Sequence, residues 1–183
     1  MPAITTMDTE QLRKAFAICG ILLQYPDENW HNAKTEFAEI IKEIPHRQIV
    51  ALLEKFLLST NEMSDEDFTE NYVREFDFSK NTNFYLTYYN QGEQRERGLE
   101  ILLLKEQYMA AGFDVNAIEL PDYLPVLLEF ASIAPKENVK EVLKVYTKHI
   151  EELRKRLIED NSFYTFIFDA ILIAIELFVE RRE

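Results

Sequence analysis

Glycine is scarce in this chain of 183 residues: only Gly20, Gly92, Gly98 and Gly112 are present, where average usage would give roughly 13. Loops that cradle phosphate need clustered glycines so that the backbone can approach the anion. No G-x-G-x-x-G or G-x-x-x-x-G-K-[ST] run occurs, which argues against the common nucleotide-binding folds. Cysteine is rarer still. Cys19 stands alone, so no internal disulfide and no cysteine-built zinc or iron–sulfur site can form. Positive charge is also short: 20 Lys and Arg face 33 Asp and Glu, a net charge of −13. Such a surface repels a phosphate backbone, and the longest basic run is Arg181-Arg182, so nucleic acid is not an expected partner.

Segments for targeting or membrane insertion are missing as well. The stretch from Met1 to Asp8 has neither a basic nor an apolar region, so no signal peptide is expected. The run from Phe163 to Val179 is apolar enough to suggest a span, but it carries Asp169 and Glu176. An aspartate at a bilayer centre costs roughly 2.5–3.5 kcal/mol on the insertion scale. With Thr165, these acids make one polar stripe, as expected of a core helix with one wet edge. A reducing, cytoplasmic location is expected.

What the chain does contain is helical periodicity. Leu12, Phe16, Cys19 and Leu23 share one face, and Trp30, Ala33, Phe37, Ile40 and Ile44 a second that stops at Pro45. Pro45 is expected in the first turn of the next helix, which carries Ile49, Leu52, Leu53 and Phe56. Ser64 reads as an N-cap with Asp67 as its reciprocal partner, and Phe68, Tyr72 and Phe76 follow at steps of four. The stretch 76–89 is ambiguous, because Phe84 to Tyr89 favours a strand. A lone hairpin among helices would have nothing to pair with, so a short helix is expected. Gly112 reads as the C′ residue of a helix from Glu93, Asp122 as the cap of a helix to Ala134 with Pro125 in its first turn, and Ser162 as the cap of the last helix. The expectation is a single all-α domain over 1–183, about eight helices, with flexible ends at 1–7 and 181–183.

Glu28-x-x-His31 and Glu43-x-x-His46 have the spacing of carboxylate-bridged metal bundles. Pro45 lies inside the second motif, and 33 acids make chance pairs common, so no metal is assigned. Cys19 sits on an apolar face as an inert small hydrophobe, and no nucleophile constellation stands out. No catalytic residue is expected. Two segments are unusual. Tyr88-Tyr89 precedes Gly92, and Arg95 and Arg97 follow it; the arginine forks suit either a partner or an intramolecular acid. Leu120, Pro121, Asp122, Tyr123, Leu124 and Pro125 open a nearly apolar helix whose only later acid is Glu129.

Taken in order, Leu22-Leu23-Gln24-Tyr25-Pro26, Phe76-Asp77-Phe78, Tyr85-Leu86-Thr87-Tyr88-Tyr89 through Gly92, Arg95, Arg97 and Gly98, and Glu119 to Pro125 with Leu128-Glu129-Phe130 resemble one family. It is the nitrate reductase delta-subunit family, the molybdenum-cofactor assembly chaperones of respiratory nitrate reductase. The resemblance covers roughly residues 10–180, about one domain. It implies a cytoplasmic, non-enzymatic chaperone of the redox-enzyme maturation class, absent from the finished complex. Its client would be the apo catalytic α subunit, recognised through an N-terminal peptide, and the molybdenum bis-guanine-dinucleotide cofactor would belong to that client and not bind stably here. Tyr88, Tyr89, Arg95, Arg97, Leu120, Pro121, Asp122, Tyr123, Leu124, Pro125 and Glu129 are the expected partner-binding residues. The alternatives are a chaperone for another molybdoenzyme, such as a dimethyl sulfoxide or trimethylamine oxide reductase, and an all-α carboxylate/His metalloenzyme.

Overall fold

The computed structural model describes residues 8–79, 81–89, 94–114 and 119–180, and leaves the side chains of Tyr89 and Gln94 outside that set. The ends expected to be flexible, 1–7 and 181–183, lie outside the described residues. Among the described residues, nine α-helices follow in order: α1 Thr9–Leu22, α2 Glu28–Asn32, α3 Lys34–Lys42, α4 Arg47–Asn61, α5 Asp65–Tyr72, α6 Gln94–Ala110, α7 Leu124–Ile133, α8 Lys136–Glu159 and α9 Thr165–Glu180. No strand occurs among the described residues, so the all-α expectation holds.

Local chemistry sets the ends of these helices. Asp8 accepts from the Gln11 amide at 2.8 Å while the Gln11 side chain accepts from the Asp8 amide at 2.7 Å, a reciprocal box that starts α1. Ser64 caps α5 as expected, its hydroxyl accepting from the Asp67 amide at 3.1 Å and donating to the Asp67 carboxylate at 2.7 Å. Gly112 takes the left-handed conformation (φ 76°) past the end of α6, where a side chain would be strained. Ser162 accepts from the Tyr164 amide at 3.2 Å just ahead of α9.

α9 explains its own composition. It packs against α1, α4 and α8 at once, so apolar residues are needed around most of its circumference. Phe16 of α1 meets Phe178 edge-on at 5.6 Å within this core. α1 also lies close along α7: a Cβ built on Gly20 would sit 3.3 Å from the Leu128 Cβ. Arg13 of α1 donates to the Ser132 and Ala134 carbonyls at 3.1 and 2.7 Å, satisfying acceptors at the C-terminal end of α7. Two helices that are distant in sequence are thereby locked together.

Several expectations need correction. The stretch 30–44 is two helices, not one, because the chain turns at Ala33. Pro45 lies ahead of α4 instead of in its first turn. His46 follows it and caps the helix, its Nδ1 accepting from the Ile49 amide at 3.3 Å. The single short helix expected within 76–89 is three pieces. A π-helical turn spans Val73–Asp77, and Tyr85 makes a one-residue antiparallel bridge with Tyr123. A 3₁₀ turn follows at Leu86–Tyr89. The strand propensity of Phe84 to Tyr89 thus finds a partner, but one supplied by the stretch just before α7.

Candidate functional site

The bridge between Tyr85 and Tyr123 brings the two unusual segments side by side. The Leu86 amide donates to the Asp122 carbonyl at 3.0 Å and the Leu124 amide to the Phe84 carbonyl at 2.9 Å. The Tyr85 and Tyr123 rings lie 5.2 Å apart. Beside them the Tyr85 hydroxyl donates to Glu119 Oε2 at 3.0 Å, and burial followed by this carboxylate pushes the Tyr85 phenol up to about 12. The Tyr108 hydroxyl of α6 donates to the Pro121 carbonyl at 3.1 Å, which fixes the chain where it enters α7.

Asp122 is the centre of this junction. Its side chain is fully buried and does not cap α7, whose N-cap Tyr123 makes no side-chain cap bond. Instead Asp122 Oδ2 accepts from the Thr87 hydroxyl at 2.6 Å and from the Thr87 amide at 3.2 Å. Arg97 Nη2 stands 3.7 Å from the same oxygen, and Arg97 Nε donates to the Thr87 hydroxyl at 3.1 Å. The guanidinium also lies over the Tyr88 ring, 5.7 Å from its centroid. A buried carboxylate is tolerated only when paired and hydrogen-bonded, and here one cation and one threonine serve both needs. Asp122 Oδ1, however, has no hydrogen-bond partner.

The residues singled out in the sequence therefore separate into two groups. Pro121, Asp122, Leu124 and Pro125 are buried, Tyr123 is half-buried, and Arg97 is held by Asp122 and Thr87. These residues build the junction. Tyr88, Arg95, Leu120 and Glu129 are exposed. The side chain of Tyr89 lies outside the described ones. Thr87 was missed in the list of candidate residues. Its only signal is a hydroxyl in an otherwise aromatic and aliphatic run.

The two E-x-x-H pairs have unrelated surroundings. His31 Nε2 lies 3.0 Å from the Thr69 hydroxyl and its Nδ1 3.0 Å from Asp65. Asp65 also takes Lys34 at 2.7 Å, and this hydrogen bond holds its carboxyl below the ordinary range. His46 is spent on capping α4, and Glu43 pairs with Lys14 at 3.2 Å. No group of three His, Cys, Asp or Glu is placed to hold a metal among the described residues. Cys19 is fully buried, and burial pushes its thiol far up, which suppresses the nucleophilic thiolate. No described helix is long and apolar enough to cross a membrane.

A family profile described as "Nitrate reductase delta subunit" matches residues 42–166. A Bacillus subtilis protein named "Probable nitrate reductase molybdenum cofactor assembly chaperone NarJ" is 42% identical over 170 residues, 93% of this chain and 92% of the relative. An Escherichia coli K12 protein named "Nitrate reductase molybdenum cofactor assembly chaperone NarJ" is 33% identical over 158 residues, 85% of this chain and 66% of the relative. A Mycobacterium tuberculosis "Nitrate reductase-like protein NarX" matches over 100 residues at 36% identity, 55% of this chain and 15% of the relative.

Proposed function

Since the chain belongs to the nitrate reductase delta subunit family, we propose that it is an assembly chaperone for nitrate reductase. It binds the apo catalytic α subunit in the cytoplasm and keeps it competent for insertion of the molybdenum cofactor. It performs no chemistry of its own, holds no cofactor stably, and leaves before the enzyme is complete. The observation that carries this reading is likeness along nearly the whole length of a relative bearing that name.

The geometry is consistent with a binding role. Asp122, Thr87 and Arg97 are bound to one another on either side of 90–93, and Tyr88, Arg95, Leu120 and Glu129 are exposed. Exposed aromatic, aliphatic and arginine side chains on a rigid base suit protein recognition, because little conformational freedom is lost on binding. Our reading assigns the client contact to these exposed side chains, with an N-terminal segment of the α subunit as the expected ligand.

The test is complementation of a strain that lacks its own delta-family chaperone, reading nitrate reductase activity and the molybdenum content of the isolated enzyme. Both are expected to return with this chain. Failure to restore either, at normal levels of folded chaperone, would overturn the proposal.

A further inference from the structure

α6 is apolar on two faces. Its inner face turns Leu104 and Tyr108 into the core, where the Tyr108 ring lies 4.3 Å from that of Phe130 in α7. On the opposite side Leu99, Leu102, Leu103 and Met109 are 52–61% exposed. At about 100° per residue these four fall on one outward stripe, about a third of the circumference, which Arg95 opens and Glu106 interrupts. A helix that is apolar on both faces is built to be buried on both. The outer face of α6 is left open by the described residues of this chain.

The spacing and the charges of this stripe say what covers it. Arg95, Leu99, Leu102, Glu106 and Met109 follow one another at steps of four, three, four and three, the spacing of a coiled-coil seam. Arg95 and Glu106 stand about three turns apart on that seam with opposite charges. Both are exposed, and neither enters an ion pair among the described residues. A seam with a cation toward one end, an acid toward the other and leucines between is complementary to its own antiparallel copy. With Arg95 beside the partner's Glu106, Leu99 meets the partner's Leu102, and each contact occurs twice, as a two-fold axis requires. A parallel copy would oppose like charges. A uniformly basic or acidic helix would satisfy one end and be repelled at the other. Gly98 lies beside the seam with nothing within 4 Å of the place its Cβ would take, which leaves room for a second backbone.

We propose that the client-free protein forms a two-fold dimer through α6. The two helices pack antiparallel, with Leu99, Leu102 and Leu103 at the centre and an Arg95–Glu106 pair at each end. One helix of about 25 Å per copy buries less than about 1,200 Å² in total, so the association is weak and reversible, in the micromolar range. Two molecules of net charge −13 also repel each other, which keeps the dimer from becoming permanent. Arg95, assigned above to the client, is available to it only in the monomer. The dimer itself stands or falls separately from the chaperone reading, because it concerns the protein alone.

Sedimentation equilibrium of the full-length protein without client tests this, at about 0.15 M salt and from about 1 to about 200 μM. The wild type should pass from monomer to twice that mass across the range. Leu102→Asp, on the outward face, should weaken the dimer by about tenfold or more, as loss of a central apolar anchor does, and leave the melting curve of the dilute protein unchanged. Arg95→Glu should weaken it severalfold by setting acid against acid at both ends. Adding Glu106→Arg to Arg95→Glu should restore it, because the same two pairs form again with their signs exchanged. Leu58→Asp removes a leucine of similar exposure (63%) on α4 and should dimerise as the wild type does. A wild type that stays monomeric throughout would overturn the proposal. So would a Leu102→Asp protein that dimerises in full, or a double charge exchange that recovers nothing. Complementation, described above, reads the chaperone activity independently of each of these outcomes.

Discussion

Arg97 and Asp122 meet at 3.7 Å across the junction of α6 and α7, the acid fully buried and the base 31% exposed. Thr87 lies between them, donating to one and accepting from the other. Removing the base leaves a carboxylate in a dry site; removing the charge on the acid does not.

Arg97→Ala is therefore expected to destabilise the fold by about 1–3 kcal/mol, below the range for a fully buried pair because the arginine is partly solvated. Asp122→Asn keeps an acceptor for Thr87 and should cost less. In the Asp122→Asn background the further loss of Arg97 should cost little. Urea unfolding of the four proteins in this cycle measures the coupling.

Arg95 has the opposite expectation. It is exposed and outside the clamp, so Arg95→Ala should leave the melting temperature unchanged while nitrate reductase maturation falls. Full maturation in this variant, at equal chaperone levels, would remove Arg95 from the client contact. The Arg95/Arg97 double variant is a poor test, because its Arg97 half perturbs folding.

Glu75 gives a pH signature. Burial raises its carboxyl pKa above the ordinary value of 4.5, and its Oε1 has no hydrogen-bond partner. Its raised folded-state pKa contributes stability fully present below 4.5 and lost as pH rises through the folded value. Glu75→Gln should then be more stable than wild type at neutral pH, with the advantage disappearing on acidification below 4.5. Melting curves of both proteins across that interval decide it.

Gly20 has no room to grow. Gly20→Val should force α1 and α7 apart against the 3.3 Å Leu128 contact and cost roughly 1–3 kcal/mol by overpacking. Thermal denaturation is the readout.

Cys19 should not react with a thiol reagent in the native protein and should react fully once the chain is unfolded, since its thiol is both buried and held protonated. Modification of the native protein at the rate of a free thiol would contradict the packing of α1.

The helical architecture was legible because its signals are local. Ser64 with Asp67, Gly112 past α6 and Pro125 in the first turn of α7 each act within a few residues. Asp122 misled for the same reason. By local pattern it precedes an apolar helix and should cap it, but its carboxylate serves Thr87, 35 positions earlier. The π-helical turn at Val73–Asp77, where the Phe78 amide reaches back to Val73 at 3.1 Å, has no sequence signature. Arg95 and Arg97 look equivalent in the sequence. Two steps around a helix place them about 200° apart, so one enters the clamp and the other faces solvent. The packing partners of α9 were not legible in its own polar stripe, because they come from α1, α4 and α8.

The pairing of Tyr85 with Tyr123 closes a noose in a helical protein: the chain leaves at Leu86, runs through α6, and returns at Asp122. Two main-chain hydrogen bonds hold the knot, so side-chain truncation loosens it only indirectly. Closing so long an excursion is entropically costly and comes late for contacts this far apart in sequence. The amides of Leu86 and Leu124 are thus a natural stopwatch. If they exchange with deuterium sooner than the core amides of α1 and α9, the noose opens on its own while the bundle stays folded.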